Sequence, residues 1–201
     1  MNSRFVALLA LACAGSRTAK EPAVTERAAP PAAPASSAPV AAPVALDGLG
    51  SHRRPVTGAS AEAQRWFDQG LNLVFAFNHD EAIRAFAHAA ALAPDCAMAS
   101  WGLAYANGPH INNPQVDEEH AAAAWAALKR AQAASAGASA SEKALIDALA
   151  RRYANPQPTD RAPLDAAYAE AMRDVHRRFS GDADVAALTA EALMDVHPWD
   201  Y

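Results

Sequence analysis

The sequence predicts an all-α fold built from pairs of antiparallel helices. From residue 60 onward apolar residues recur at spacings of three and four, and no stretch alternates apolar with polar residues as a half-buried strand would. Helix caps such as Ser60 and Ser139 and a breaker such as Pro94 divide this region into separate helices. The chain has 201 residues, of which 52% are hydrophobic and 19% charged, which is enough for one domain with its own core.

The first 20 residues have the layout of a secretory signal. Arg4 precedes an apolar run at 5–12, and small residues follow. The run is too short to cross a bilayer, which takes about 20 residues. The segment that ends in Cys13 also resembles a bacterial lipobox, which makes Cys13 the predicted lipidation site and, with Ala14 after it, favours the outer membrane. The alternative is a buried or frayed N-terminal helix.

Residues 21–47 are rich in proline and alanine and predict a disordered, semi-rigid linker. The folded domain is therefore expected at 48–201. With Cys13 assigned to lipidation, Cys96 is the one remaining cysteine, so no internal disulfide is expected. Cys96 follows a helix-ending proline, which favours a role as a small core residue over a role as a nucleophile. The net charge of -5 provides no basic excess for phosphates, which argues against a nucleic-acid partner.

The first two helices are predicted at 60–77 and 78–94. Ser60 is a suitable N-cap for the first. For the second, Asn78 and Glu81 have the spacing of a capping box, and Asp80 and Glu81 lie in the first turn, where the helix dipole favours negative charge.

These two helices match the tetratricopeptide repeat, a hairpin in which small residues stand where the helices approach and a proline ends the second helix. The match covers residues 63–96, and it rests on the spacing of five residues: Trp66, Gly70, Ala82, Phe86 and Pro94. Further helices are predicted at 98–106, 117–134, 139–153, 164–179 and 185–193. The prediction is a right-handed solenoid of helical hairpins.

Four stretches carry a wider resemblance: "GLGSHRRPVT", "AQRWFDQGLNLVFAFNHDEAIRAF", "DCAMASWGLAYANGPHIN" and "HPWDY". Together they resemble a family of secreted bacterial tetratricopeptide proteins of largely unknown function. The resemblance covers Leu49 to Tyr201 and implies that relatives continue into further repeats, including a histidine-rich segment. Since the last predicted helix also has no polar capping helix after it, the chain is expected to be the N-terminal part of a longer repeat protein or a shortened reading frame. Relatives often carry a second cysteine where this chain has Ala99, which leaves a redox or metal role for such a pair in doubt.

A cluster of polar residues opens the second helix, and we interpret it as structural. His79 and His88 are nine residues apart, which at about 100° per residue places them on opposite helix faces, so they cannot share a metal within one chain. His52 and His110 are weak candidates for a metal site formed through folding. No phosphate-binding loop and no Ser/His/Asp motif is present.

In tetratricopeptide superhelices the inner groove is lined mainly by the first helix of each hairpin. The corresponding residues here are Gln64, Phe67, Leu71, Val74 and Phe75. Phe67 and Leu71 stand where chaperone-docking members have the polar residues of a carboxylate clamp, so an apolar extended or helical ligand is expected instead. The alternative is that Phe67 and Leu71 pack on the next helix.

The loop after the third helix is a candidate accessory contact through His110, Ile111 and Asn112, with a solvated turn as the alternative.

The sequence thus predicts an exported, non-enzymatic scaffold that binds a protein or peptide partner in the bacterial cell envelope, without a cofactor, as a periplasmic or outer-membrane-anchored lipoprotein. The alternative function is a metal-binding or metal-dependent periplasmic enzyme whose site is completed by further repeats and holds a divalent metal.

Overall fold

The computed structural model describes residues 43–197, and this part of the chain is all-α, as predicted. It contains no β-strand, only an isolated bridge between His110 and Asn113. The predicted leader at 1–20 with Cys13, most of the linker at 21–47 and the last four residues lie outside the described residues. The helices are α1 (Ala61–Phe75), α2 (His79–Leu92), α3 (Ala97–Ala106), α4 (Glu118–Ala134), α5 (Ala140–Leu149), α6 (Ala162–Arg178) and α7 (Ala183–Met194), with a 3-10 turn at Ser135–Gly137.

The predicted caps are confirmed at two helices and wrong at a third. The Ser60 hydroxyl accepts a bond from the Ala63 N–H at the start of α1, and Ser139 and Glu142 form a capping box on α5. Asn78 stands at the N-cap of α2, but its side chain makes no capping bond, because its backbone (φ -98, ψ 68) is not in the extended conformation that directs an N-cap side chain toward the helix. Glu81 instead accepts a bond from Arg84 Nε at 3.0 Å.

Consecutive helices pack side by side. The main contacts join α1 to α2, α2 to α3, α3 to α4 and α6 to α7, while α5 packs against α3, α4 and α6. The short connections at 76–78 and 93–96 allow only tight reversals, so the first three helices alternate in direction. None of the helices within residues 43–197 combines the length and the apolar character needed to cross a membrane.

Phe86 of α2 lies at the centre of the first three helices. Its side chain is fully buried, and a Cβ atom added at Gly70 of α1 would lie 2.8 Å from the ring. A Cβ added at Gly102 of α3 would lie 2.4 Å from the same ring. Two glycines on two helices therefore allow both helices to approach one aromatic side chain, which confirms the predicted close approach at Gly70.

Cys96, between α2 and α3, is buried with 1% of its surface exposed, and burial raises the pKa of its thiol. A buried thiol with a raised pKa is a poor nucleophile. The prediction of a core cysteine is confirmed.

Candidate functional site

A stretch of chain without helix or strand, residues 44–57, lies along one face of α1; we call it the leading segment. The α1 side chains that bind it are Gln64, Asp68, Gln69 and Asn72. Their spacing of four, one and three residues places them on one helix face. The hydrogen bonds go mainly to backbone atoms of the leading segment, so α1 holds this segment largely through its peptide groups.

Two glutamines each bind the segment twice. Gln64 Oε1 accepts from the Val56 N–H at 2.9 Å, and Gln64 Nε2 donates to the Arg54 carbonyl at 2.8 Å. Gln69 repeats the arrangement nearer the start of the segment: its Oε1 accepts from the Leu46 N–H at 3.0 Å, and its Nε2 donates to the Val44 carbonyl at 2.9 Å. A side-chain amide that pairs with both a donor and an acceptor of another chain segment mimics the pairing of a β-strand.

Asp68 lies between these glutamines and is buried. Its Oδ1 accepts from the Arg54 N–H at 3.0 Å and from Gln64 Nε2 at 2.9 Å, and its Oδ2 accepts from Arg53 Nε at 3.2 Å. The Arg53 side chain is 64% exposed, so that ion pair contributes little. Asn72 completes the row by donating to the His52 carbonyl at 3.1 Å.

Arg54 is the residue that inserts into the fold. Its Nη1 donates to Asp182 Oδ1 at 2.8 Å and to Asp184 Oδ2 at 3.1 Å, at the N-terminus of α7. Burial alone would lower the pKa of Arg54, but the bonds to the two carboxylates outweigh burial and raise it. Burial alone would raise the pKa of Asp182, but its bonds to Arg54 and to the Val185 N–H lower it. The pair is therefore held in its charged form.

The same segment also reaches α5. The Thr57 N–H donates to Glu142 Oε1 at 2.7 Å, and Glu142 is the capping-box residue of that helix. Burial would raise the pKa of Glu142, but the bond from Thr57 and the bond from Ser139 lower it. Residues 44–57 thus contact α1, α5 and α7, three helices that are distant in sequence.

The leading segment lies on the surface of the helices, and most of its residues are exposed. It has no helix or strand, and Arg54 is its one buried residue. Of its apolar side chains, Val44 is 64% exposed and Leu46 is 41% exposed, whereas Leu49 and Val56 are partly buried against the core. Between the segment and α1 lies an open cleft of about 680 Å³, whose walls include Arg65 and Trp66.

The structure corrects three of the five predicted groove residues. Phe67, Leu71 and Val74 are at most 2% exposed and belong to the core, as in the alternative interpretation. The prediction failed because α1 packs on both α2 and α3, and these contacts bury its apolar face. Gln64 does bind an extended segment, though one from this chain, and Phe75 stays partly exposed with its ring 6.0 Å from that of His52.

Replacing Gln64 by alanine is expected to lower the free energy of unfolding by about 1–3 kcal/mol, because it leaves Asp68 and two backbone groups of a partly buried segment without their partner. Gln69→Ala is the matched control: it removes the same pair of backbone bonds at an exposed position, where water replaces them, and should cost less than about 1 kcal/mol. Urea unfolding of the two variants measures the difference. Equal losses of unfolding free energy in the two variants would show that the Gln64 hydrogen bonds stabilise the fold no more than the exposed Gln69 hydrogen bonds do.

The predicted accessory loop is largely folded against the domain. Ile111 is buried, Asn112 is exposed, and the His110 ring stacks on His79 with centroids 3.8 Å apart. Burial and the neighbouring His79 lower the pKa of His110 to about 4. A cleft of about 140 Å³ lies beside these two histidines, and His120 also lines it. Part of the loop is therefore structural, and Asn112 remains available to solvent.

The two weak metal candidates have separate partners. His52 Nε2 lies 2.9 Å from Asp184 Oδ1, and His110 stacks on His79. Across residues 43–197, no group of three or more His, Cys, Asp or Glu side chains is arranged to hold a metal ion. His79 contacts His110, whereas His88 packs edge-on against Trp66 with ring centroids 4.7 Å apart. These different neighbours agree with the predicted placement of His79 and His88 on opposite faces of α2.

A buried ionic centre around Arg152, after α5, was not predicted. Arg152 is 1% exposed, pairs with Asp195 and donates from Nη2 to the Pro109 carbonyl at 2.8 Å. Its guanidinium lies 4.7 Å from the centre of the Tyr168 ring. Burial would lower the pKa of Arg152, but the attraction of Asp195 raises it. Nothing in the local sequence "LARRY" distinguishes Arg152 from its exposed neighbour Arg151, so no sequence signal identified it.

No match was found for this chain among models of known protein families, curated proteins or solved structures.

Proposed function

We propose that this protein is an exported helical-repeat scaffold of the tetratricopeptide type that binds an extended segment of a partner protein in the bacterial cell envelope. The repeat assignment is supported by the first hairpin, in which Gly70 and Phe86 are in contact and α2 ends two residues before Pro94. The further hairpins α3/α4 and α6/α7 are consistent with stacking into a solenoid.

The observation that carries the proposal is the binding of residues 44–57 by α1. Gln64 and Gln69 each pair with a backbone donor and a backbone acceptor of the leading segment. Backbone pairing provides affinity with little dependence on sequence, and adjacent pockets add selectivity. The cleft of about 680 Å³ beside the segment, with Trp66 in its wall, offers surface for side chains of a partner.

Site-specific photo-crosslinking in cells tests the proposal. A photoreactive amino acid replaces Arg65, which is exposed and lines the cleft, and we expect a discrete crosslinked product with an envelope protein. The control places the same amino acid at Ala126, an exposed position of α4 away from the cleft. Identical products from both positions, or none from Arg65, would contradict a binding site on α1.

Export is tested in the same cells. The proposal expects the full-length chain in the membrane fraction with a fatty-acid label, and Cys13→Ser in the soluble envelope fraction without the label. A chain that stays in the cytoplasm in both forms would refute export.

A further inference from the structure

We propose that the surface formed by the polar face of α1 and the N-terminus of α7 is a peptide-binding site selective for an extended protein segment anchored by one arginine. In the absence of a partner, the chain's own Arg54 occupies this site. The inference rests on the proposed function, because it assigns the kind of segment that the scaffold binds. It also specifies the anchor residue, the pocket that binds it and the state of the site without a partner, in which the chain's own Arg54 occupies the pocket.

The leading segment shows what the site accepts. Arg54 is the one buried residue of 44–57, while both neighbours, Arg53 and Pro55, are exposed. Leu49 and Val56 are only partly buried against the core, so the one fully inserted side chain is charged, and the segment is held mainly by this anchor and by its backbone. The same features describe a linear peptide on a preformed surface.

The main chain of the anchor residue is held on both sides. Its N–H donates to Asp68 Oδ1 at 3.0 Å, and its carbonyl accepts from Gln64 Nε2 at 2.8 Å. Asp68 and Gln64 bind each other at 2.9 Å, so the two groups that hold the anchor are themselves positioned by a bond within α1. This arrangement fixes the direction and register of the bound segment, which is the requirement for a defined side chain to enter a defined pocket.

The pocket matches a guanidinium in charge. Asp182 and Asp184 both accept from one Arg54 nitrogen, and the Arg54 side chain is 9% exposed. Arginine is more weakly hydrated than lysine and presents several donors in a fixed plane, so it loses less on burial. His52, two residues before the anchor, lies 2.9 Å from the second oxygen of Asp184, which adds a preference for a histidine or a cation at that position.

Occupation by the chain's own arginine lowers the apparent affinity for a partner. A tethered segment has an effective concentration that short linkers raise to about the millimolar range, so a partner segment must compete with it. Removing the arginine in cis opens the pocket, and the apparent affinity for an added peptide should then rise. The direction of this change distinguishes an occupied binding site from a purely structural contact.

Fluorescence anisotropy with a labelled peptide tests this inference. The probe has the sequence SHRRPVTG, which is that of residues 51–58, and the matched peptide has glutamine in place of its second arginine. With the full-length Arg54→Ala variant we expect the arginine peptide to bind at least about tenfold more tightly than the glutamine peptide, as a buried charged hydrogen-bond pair implies. Wild-type protein should bind the arginine peptide more weakly than the variant does. Adding Asp184→Asn to Arg54→Ala should reduce the preference for arginine.

A second measurement covers the case in which Arg54→Ala does not fold, as judged by circular dichroism. In wild-type protein, excess arginine peptide should raise amide hydrogen exchange at residues 52–57, and the glutamine peptide should not. Equal binding of both peptides to a folded variant, or unchanged exchange in the wild type at millimolar peptide, would overturn the inference. If sedimentation shows a wild-type dimer that Arg54→Ala abolishes, the site binds a second copy of this chain, and the proposal of a different partner protein is wrong.

These outcomes are separate from those of the crosslinking experiment. If Arg65 captures an envelope protein but the two peptides bind alike, the scaffold proposal stands and arginine selectivity is wrong. If the arginine peptide binds selectively but no crosslink forms in cells, the site is present and the proposed envelope partner is wrong.

Discussion

Replacing Phe86 by alanine should lower the free energy of unfolding by about 3–5 kcal/mol, because it removes a fully buried aromatic ring shared by α1, α2 and α3. The void cannot close easily, since the ring is flanked by Gly70 and Gly102, which have no side chains to move into it. Phe77→Ala is the matched control: Phe77 is 50% exposed, so its loss should change stability by less than about 0.5 kcal/mol. Urea unfolding followed by circular dichroism measures both variants.

The same site provides a test in which the effect changes sign. In the wild type, Gly102→Ala should destabilise the fold, because the new Cβ would lie 2.4 Å from the Phe86 ring. The ring cannot move away, since helix α1 at Gly70 is also close to it. In the Phe86→Ala background, the same methyl group enters the void and adds helix propensity, so Gly102→Ala should stabilise. Additive effects in the double variant would show that Phe86 and Gly102 are not in contact.

Sequence periodicity identified all seven helices of residues 43–197, although α5 ends at Leu149 rather than at 153 and α3 is buried on nearly all sides. The repeat pattern also placed Gly70 at a close approach of the first two helices, where the structure has the Phe86 ring. These features depend on residues close together in the chain or on a recurring motif. Local patterns are sufficient for them.

The groove was predicted on the face of α1 that is buried in the core. The family pattern assigned Phe67 and Leu71 to a groove, but they are buried against neighbouring helices, and the ligand-like contacts are made by Gln64 and Asp68 on the polar face. A polar helix face looks the same in sequence whether it meets water or a peptide backbone. Only the fold brings residues 44–57 across it.

Long-range ion pairs were also beyond the sequence. Arg54 and Asp184 are separated by 130 residues, and Arg152 and Asp195 by 43. Charged residues usually lie at the surface, so a buried arginine has no distinguishing local pattern until tertiary structure places a carboxylate beside it.

The Arg152–Asp195 pair should make stability depend on pH. Burial raises the pKa of Asp195 to about 7, and the opposing effect of Arg152 does not cancel it. In the unfolded chain an aspartate titrates near pH 4, so between about pH 4 and 7 the folded protein holds a proton that the unfolded chain has lost. This contribution is fully present below pH 4 and is lost as pH rises through 7, with a slope of up to about 1.4 kcal/mol per pH unit.

Comparison with Asp195→Asn isolates that contribution. His110 acts in the opposite direction, because its pKa is lowered to about 4 and its contribution is lost as pH falls, but it is present in both proteins and cancels in the difference. The stability of wild type minus that of Asp195→Asn should therefore fall as pH rises from 4 to 7, measured by urea unfolding at each pH. A difference that is constant over this range would contradict a raised pKa at Asp195.

Arg152→Met is expected to have the largest effect of the variants at this centre. Methionine fills much of the same volume but leaves the buried Asp195 carboxylate without the cation that pairs with it, which should cost about 3–5 kcal/mol at pH 8. At pH 5 the cost should be smaller, because Asp195 can take up a proton and stay neutral in the folded state. The same loss at both pH values would show that Arg152 acts through packing alone, whereas a loss that shrinks on acidification would assign its effect to the buried charge of Asp195.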